Sequence, residues 1–258
     1  MATHINGIAT NDSMPDMLYH YTSISGFSGI IENNCFWATS CKCLNDSNEI
    51  YELLTHYDLT RSYSREYLTK RIQWILDDHY VISFSENKDS LPMWGRYTND
   101  CGVNIGLLKD EIMKLHLEDD PLHEPLIGNC IYSKFEKDAF IQKYLCNSKL
   151  SDLEGQLYFW LPFFKNDSFS YEKEWRIVFS GSGVRKIKTR GYGKKKAPYI
   201  TASPKERDGN FQRIKISELN LSSIISGDMN KKSRINEIIS HNNQAVDRIN
   251  NTTSTLIV

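Results

Sequence analysis

Apolar and aromatic residues occur along this chain in short runs of about five to eight residues, bounded by polar or glycine-containing turns. The runs Tyr80–Ser85 and Gly102–Leu107 are typical of buried strands. Between such runs, apolar residues recur at helical spacing, and Ser23 can cap the first of these helices. Because the predicted strands and helices do not alternate strictly, the pattern favours a mixed α+β fold over a doubly wound parallel sheet.

The length of 258 residues allows one large domain or two small ones, and no linker-like segment divides the chain. We therefore expect a single domain over 17–258, preceded by a flexible polar arm over 1–16. No apolar run approaches the roughly 20 residues that a transmembrane helix needs. Residues 1–16 also lack the basic start and apolar block of a secretion signal. Together these features predict a cytoplasmic protein without a membrane partner.

Several classes of site find no support in the sequence. The six cysteines are scattered, so we expect free thiols and no metal site. Phosphate-binding loops, dinucleotide-binding glycine motifs, nucleophile elbows and paired zinc-binding histidines are all missing from the sequence. The sequence therefore lacks the main signatures of kinases, Rossmann dehydrogenases, α/β-hydrolases and zinc proteases.

One segment departs from the near-neutral charge of the chain. Nine basic and two acidic residues lie between Gly183 and Asn210, whereas the whole chain has a formal charge of −1. Glycines and tyrosines are interspersed among them. This pattern indicates either a solvated surface loop or a segment that contacts nucleic-acid phosphates. The candidate nucleic-acid-binding residues are Arg185, Lys188, Arg190, Lys194, Lys195 and Lys196.

The segment 172–179 is the most strand-like part of the second half of the chain. In a strand, Glu172, Glu174 and Arg176 would share one face. Two neighbouring carboxylates repel each other and raise at least one pKa unless a cation such as Arg176 or Lys173 compensates. Such a face suits a ribose hydroxyl and a developing positive charge, or it is a solvated face with an ion pair. The opposite face is predicted to supply core residues: Tyr171, Trp175 and Ile177.

Two further groups of residues could contact a ligand. His20 lies near the end of the first predicted strand, where it could bind a ribose hydroxyl or serve as a structural histidine. Trp94 and Tyr97 share one face of a short predicted helix and form either core or an aromatic wall.

Late in the chain, the pattern predicts strands over Phe211–Ile216, Leu221–Ser226 and Thr252–Val258.

Six segments, taken in order, resemble a widespread bacterial domain family of unassigned function. They lie between Met17 and Gly227 and are Leu18–Ser23, Phe36–Ser40, Leu44–Glu49, Phe84–Ser85, Met93–Tyr97 and Glu172–Arg176. Their order is in turn similar to that of ADP-ribosyltransferases of the His-Tyr-Glu type. The resemblance implies an ADP-ribosyltransferase-like split mixed β-sheet with inserted helices.

The resemblance also implies roles for individual residues. His20 would contact the adenosine ribose of NAD, Glu174 would drive cleavage at the nicotinamide ribose, and Glu172 would orient the acceptor. The middle tyrosine of the family is missing, and Trp37, Ser40 or Tyr97 would replace it. The residues expected to bind NAD are His20, Tyr21, Thr22, Ser40, Trp94 and Tyr97.

We therefore expect an NAD-dependent ADP-ribosyltransferase that uses NAD as co-substrate, needs no metal and modifies a macromolecule, preferably RNA. Such an enzyme would act as a toxin or antiviral effector, with an antitoxin or chaperone as a possible partner. One alternative is a non-catalytic nucleotide-binding or nucleic-acid-binding module. Another is a nuclease that holds Mg²⁺ between four carboxylates: Asp46, Glu49, Glu172 and Glu174.

Overall fold

The structure is a computed structural model that describes residues 14–44, 63–98, 101–119, 124–146, 149–182, 184, 186–192, 195–206 and 210–251. The strands in these ranges are β1 (Met17–Ser23), β2 (Phe36–Ser40), β3 (His79–Ser85), β4 (Gly102–Leu108), β5 (Leu115–Leu117), β6 (Leu126–Asn129), β7 (Glu174–Ser180), β8 (Lys188–Tyr192), β9 (Lys195–Pro204), β10 (Ile216–Leu221) and β11 (Val246–Asn251).

The α-helices in the same ranges are α1 (Ile24–Asn33), α2 (Arg65–Asp78), α3 (Leu91–Thr98), α4 (Lys109–Ile112), α5 (Lys134–Phe140), α6 (Leu150–Trp160), α7 (Ser223–Gly227) and α8 (Met229–His241). Short 3₁₀ helices cover Cys41–Cys43, Leu161–Phe163 and Asp167–Glu172, and a π-helical turn covers Ile141–Leu145. No described helix has the length and apolarity that crossing a bilayer requires.

The described strands pair in both directions, so the fold combines helices with mixed β-structure, as the sequence predicted. The chain divides into two compact units. Of the described residues, those within 38–82 and 124–200 belong to unit 1, and those within 14–37, 83–119 and 201–251 belong to unit 2. The predicted arm falls mostly on residues 1–13, which lie outside the described residues.

Unit 2 is built on the strand order β11-β10-β4-β1. The pair β10–β11 is parallel, whereas β4 is antiparallel to both of its neighbours. Alternate residues of β1 face opposite sides. Leu18 lies opposite Leu107 and His20 lies opposite Ile105, so these two residues of β1 face the side that carries apolar residues of β4. Tyr19 and Tyr21 face the other side.

Local signals explain how α1 begins and ends. Ser23 accepts a hydrogen bond from the backbone N–H of Gly26 at 3.1 Å, which caps the helix as predicted. Asn34 ends the helix in the left-handed conformation, with φ of 52°. Its side-chain oxygen accepts from the backbone N–H of Ile214 at 2.8 Å, so the end of the helix is tied to a segment far along the chain.

Unit 1 has a core of its own, to which α2 and α6 contribute. Leu68, Ile72, Leu157 and Trp160 are each at most 2% exposed and belong to one hydrophobic cluster. Burying one such side chain stabilises the fold by roughly 1.5–3 kcal/mol. Strand β7 pairs with β6 and β3, and each of its residues is buried. The side chains of β7 therefore lie in the interior of this unit.

Two of the predicted late strands are wrong. The observed strand is β10 (Ile216–Leu221), and Ser222 then caps α7 by accepting from the N–H of Ile225 at 3.4 Å. The apolar residues after Ser222 therefore continue as a helical turn. Phe211 forms only an isolated bridge with Lys205. The predicted terminal strand Thr252–Val258 lies outside the described residues.

The close pairing of β1 with β4 depends on Gly102. A Cβ atom at this position would lie 2.3 Å from the carbonyl oxygen of Thr22 and 2.4 Å from Cβ of Thr98. We therefore expect Gly102→Ala to lower the free energy of unfolding by about 1–3 kcal/mol, because backbone must move to relieve the clash. Urea denaturation followed by circular dichroism measures this change.

Gly155 in α6 is the matched control, because a Cβ there would meet nothing within 4 Å. Gly155→Ala is expected to raise the free energy of unfolding by about 0.5–1 kcal/mol, since alanine is the better helix former. Equal effects of the two substitutions would contradict the close packing of Gly102.

Candidate functional site

Four charged side chains lie together inside unit 1. Lys165, Glu172, Glu174 and Arg176 are between 1% and 4% exposed. We refer to these four residues as the buried charge cluster. Its two cations balance its two carboxylates. Removing charges from water is costly unless they are paired, so this pairing is what allows the four groups to be buried.

The cluster is assembled by three consecutive pieces of chain. Lys165 follows the apolar 3₁₀ helix Leu161–Phe163, and Glu172 ends the 3₁₀ helix Asp167–Glu172. Lys173 then adopts a left-handed conformation with φ of 42°. Glu174 is the first residue of β7. Lys165 thus contacts two glutamates that lie on either side of the turn at Lys173.

Lys165 bridges the two glutamates. Its Nζ donates hydrogen bonds to Oε2 of Glu172 and to Oε2 of Glu174. From the other side, Nε of Arg176 donates to Oε1 of Glu174 at 2.9 Å, and Nη2 donates to Oε2 at 3.3 Å. Arg176 also donates from Nη1 to the carbonyl of Pro162. Both oxygens of Glu174 are therefore engaged by cations.

The surroundings of Glu174 keep it ionised. Burial alone would raise the pKa of its carboxyl, but Arg176 and Lys165 outweigh burial and lower the pKa to about 2. Burial likewise acts to lower the pKa of Lys165, and the charge of Glu174 reverses this, so the pKa is raised. Burial raises the pKa of Tyr132, whose hydroxyl accepts from the backbone N–H of Glu174 at 2.7 Å. The cluster therefore holds a fixed carboxylate that does not exchange protons near neutral pH.

The structure revises how the sequence places these residues. The strand begins at Glu174, so Glu172 joins the cluster from a 3₁₀ helix and not from the predicted strand face. Tyr171, predicted to be core, is 37% exposed. The second cation is Lys165. Lys173, which the sequence predicted as a compensating cation beside Arg176, is exposed. Lys165 was missed, although a lysine directly after the run Trp160–Phe164 is a signal for a buried cation.

His20 is fixed in unit 2 by a hydrogen bond and two rings. Its Nδ1 donates to the carbonyl of Ser83 at 2.8 Å. Its ring lies edge-on to Phe36 and tilted against Phe84, with ring centroids 5.3 and 5.6 Å away. A carbonyl can only accept, so Nδ1 carries a proton in this contact. His20 is half-buried.

The aromatic residues predicted to bind NAD occupy the other side of β1. Tyr21 donates to the carbonyl of Asn87 at 2.8 Å and packs against Trp94, with centroids 4.8 Å apart. Trp94 is 2% exposed and belongs to one hydrophobic cluster with Tyr21, against which Tyr97 packs. Trp94 is therefore core in this structure. Tyr21 and His20 face opposite sides because they are consecutive in a strand.

The remaining predicted NAD-binding residues, Thr22 and Ser40, belong to different units. Thr22 is half-buried on the same side of β1 as His20. Ser40 belongs to unit 1, at the end of β2, where it is 2% exposed and donates to the carbonyl of Leu76 at 3.5 Å. Trp37, a proposed substitute for the missing tyrosine, is half-buried in β2.

The basic segment forms an antiparallel hairpin of β8 and β9 in unit 1. Lys188 and Lys196 are exposed, and Arg190 is half-buried and donates from Nη2 to Oγ1 of Thr39 at 2.8 Å. Arg185 and Lys194 lie outside the described residues, and of Lys195 only the backbone is described.

The described residues contain no group of three or more His, Cys, Asp or Glu side chains that could hold a metal ion. Two of the four carboxylates proposed for a magnesium site, Asp46 and Glu49, lie outside the described residues. The other two, Glu172 and Glu174, are bound to Lys165. The nuclease hypothesis therefore gains nothing from the described geometry.

Comparison with known proteins gives one family. Residues 93–177 are similar to the family described as "Protein of unknown function (DUF2971)". This range contains two of the six segments on which the family resemblance was predicted, Met93–Tyr97 and Glu172–Arg176. The predicted resemblance to a family of unassigned function is thus confirmed over this third of the chain. No curated protein and no solved structure matches the chain.

Breaking the buried charge cluster should destabilise the fold. Glu174→Gln keeps the shape of the side chain but leaves Lys165 and Arg176 short of one negative charge. We expect the free energy of unfolding to fall by about 3–5 kcal/mol. Urea denaturation measures this loss. Glu237→Gln, which removes an exposed carboxylate from α8, is the control and should change stability by less than about 0.5 kcal/mol.

The pKa of Glu174 also predicts how stability depends on pH. The folded-state pKa of about 2 lies below the ordinary glutamate pKa of 4.5, so the stabilisation is complete above pH 4.5 and is lost as pH falls toward 2. The pKa difference corresponds to about 3 kcal/mol. The difference in unfolding free energy between wild type and Glu174→Gln should therefore shrink over this interval. A difference that stays constant with pH would contradict an ionised, ion-paired Glu174.

Proposed function

We propose that this protein is an NAD-dependent ADP-ribosyltransferase that modifies a macromolecule, with RNA as the preferred acceptor, and that it has the fold of that class. In this reaction the bond between C1′ of the ribose and N1 of nicotinamide breaks. Nicotinamide leaves as a neutral molecule with the bonding electron pair. A nucleophile of the acceptor forms the new bond to C1′ and releases a proton. An enzyme that modifies RNA in this way would act as a toxin or antiviral effector.

The observation that carries the proposal is the state of Glu174. The resemblance assigns the catalytic glutamate to this position, and the transition state at C1′ develops positive charge. Stabilising that charge requires a carboxylate that is ionised and fixed before the reaction begins. Glu174 meets both conditions, because its pKa is about 2 and it starts a buried strand.

The contact with Lys165 has to weaken for Glu174 to act on a substrate. Lys165 already donates to Glu172 as well as to Glu174. A small shift of its ammonium toward Glu172 would free Oε2 of Glu174 from the lysine, leaving only the 3.3 Å contact with Nη2 of Arg176, while the lysine kept an anionic partner. In this proposal Glu172 is a positioning residue that holds the lysine, in addition to the acceptor-orienting role that the resemblance implies.

The geometry of His20 supports its assignment to the adenosine ribose. Its ring is oriented by Ser83 and by Phe36, and in the proposed complex Nε2 of the ring contacts a ribose hydroxyl. Thr22 faces the same side of β1 and is half-buried. We therefore keep His20 and Thr22 as NAD-binding residues and assign Trp94 to the core.

The direct test is to incubate the protein with NAD and total RNA. The expected products are free nicotinamide and RNA whose mass has increased by one ADP-ribosyl group, both detected by mass spectrometry. His20→Asn should reduce the rate at least about 10-fold, because Asn can still donate to the Ser83 carbonyl but has no group in the position of Nε2.

His116→Asn is the matched control for that variant. His116 is also half-buried in unit 2, and its Nδ1 likewise lies 2.8 Å from a backbone carbonyl, that of Lys114. The control should transfer ADP-ribose at the wild-type rate. Equal losses in both variants would indicate a structural effect. Wild-type protein that releases no nicotinamide with any RNA or lysate fraction would overturn the proposal.

A non-catalytic nucleic-acid-binding module is the second candidate. The burial of Glu172 and Glu174 and their pairing with Lys165 favour it, because such a cluster also serves stability alone. This function predicts salt-dependent RNA binding without consumption of NAD. Retained RNA binding together with intact NAD would favour the module over the transferase.

A further inference from the structure

The hairpin of β8 and residues 195–200 of β9 carries a concentrated positive charge, and we refer to it as the basic hairpin. Lys188 and Lys196 are exposed. In the described part of the chain, no carboxylate lies within ion-pair distance of either lysine. Their charges are therefore available to a partner from outside the chain.

The strand register divides the basic hairpin into two faces. Directly opposed residues of an antiparallel pair share a face. Lys188 is opposed to Tyr199 and Arg190 to Ala197, so Lys188, Arg190 and Tyr199 share one face. Lys196 is opposed to Gly191 and lies on the other face. We refer to the first as the Lys188 face.

The Lys188 face combines two kinds of contact. Lys188 and Arg190 are two residues apart in a strand, so their Cα atoms lie about 7 Å apart along one line. Arg190 is held in place by Thr39. Tyr199 lies beside Lys188 and is partly exposed. A row of cations with an aromatic ring beside it matches a polynucleotide strand, which carries phosphates along its backbone and flat bases at its side.

We propose that the Lys188 face binds a single strand of RNA, which is the acceptor in the function proposed above. Identifying the RNA as acceptor rests on that function, whereas the binding itself does not. The lysine and arginine would contact phosphates, and the tyrosine would stack on a base. Stacking of this kind needs an unpaired base, so the surface fits a single strand better than a duplex.

The test measures binding of a labelled uridine oligomer of roughly 12 nucleotides by fluorescence anisotropy without NAD. At about 0.1 M salt, Lys188→Gln should weaken binding about 5-fold. It should also reduce the slope of log K against log salt by about 0.7, the share of one phosphate contact on a single strand. Tyr199→Leu should weaken binding by about 5-fold or more without changing the slope, and Tyr199→Phe should bind like wild type.

Lys196→Gln is the matched control, because it removes the same charge from the opposite face of the same hairpin. We expect it to weaken binding by less than about 2-fold. Equal effects of Lys196→Gln and Lys188→Gln would mean that RNA is held by diffuse electrostatic attraction to the hairpin and not by the Lys188 face. Tighter binding of an RNA duplex, or of a DNA oligomer of matching sequence, would also overturn single-stranded RNA as the partner.

Failure of this inference and failure of the proposed transferase give different results. RNA binding that depends on Lys188 and Tyr199, without release of nicotinamide from NAD, supports the surface and overturns the transferase. Transfer of ADP-ribose to RNA that proceeds at the wild-type rate in Lys188→Gln and Tyr199→Leu, at RNA concentrations below saturation, supports the transferase and overturns the surface.

Discussion

The pairing of Lys165 and Arg176 with Glu172 and Glu174 is the constraint on which the rest of unit 1 depends. Four charges in a low-dielectric interior are tolerable only while each has its partner, and removing one leaves an uncompensated charge behind. The cluster therefore fixes the start of β7 relative to the two 3₁₀ helices before it. A rigid, ionised carboxylate can stabilise the fold and can also stabilise a charged transition state. Stability and activity therefore have to be measured separately in variants of the buried charge cluster.

Where the sequence predicted the fold correctly, the signal was local. Ser23 begins α1 by accepting a backbone N–H with its own side chain, and such a cap is recognisable without knowing the rest of the chain. The failure at Leu221–Ser226 has a local cause as well. The isoleucines after Ser222 favour a strand by propensity, but the serine side chain captures the backbone N–H of Ile225 and starts a helical turn.

The candidate site was only partly predictable because its decisive contacts join distant or irregular segments. Strand periodicity correctly placed Glu174 and Arg176 on one face. It could not show that Glu172 would arrive from a 3₁₀ helix, or that Lys165 would be the second cation. Strand periodicity is, however, sufficient to predict that His20 and Tyr21 face opposite sides of β1, since consecutive strand residues do so.

The left-handed conformation of Lys173 makes the spacing between two elements rigid at a solvent-exposed position. Lys173 is exposed, and exposed connecting segments usually tolerate insertions and deletions. One extra residue here would invert β7, turning Arg176 and Val178 to the side now occupied by Trp175 and Ile177. Position 173 therefore disfavours both an added residue and a β-branched side chain, which the left-handed conformation makes costly.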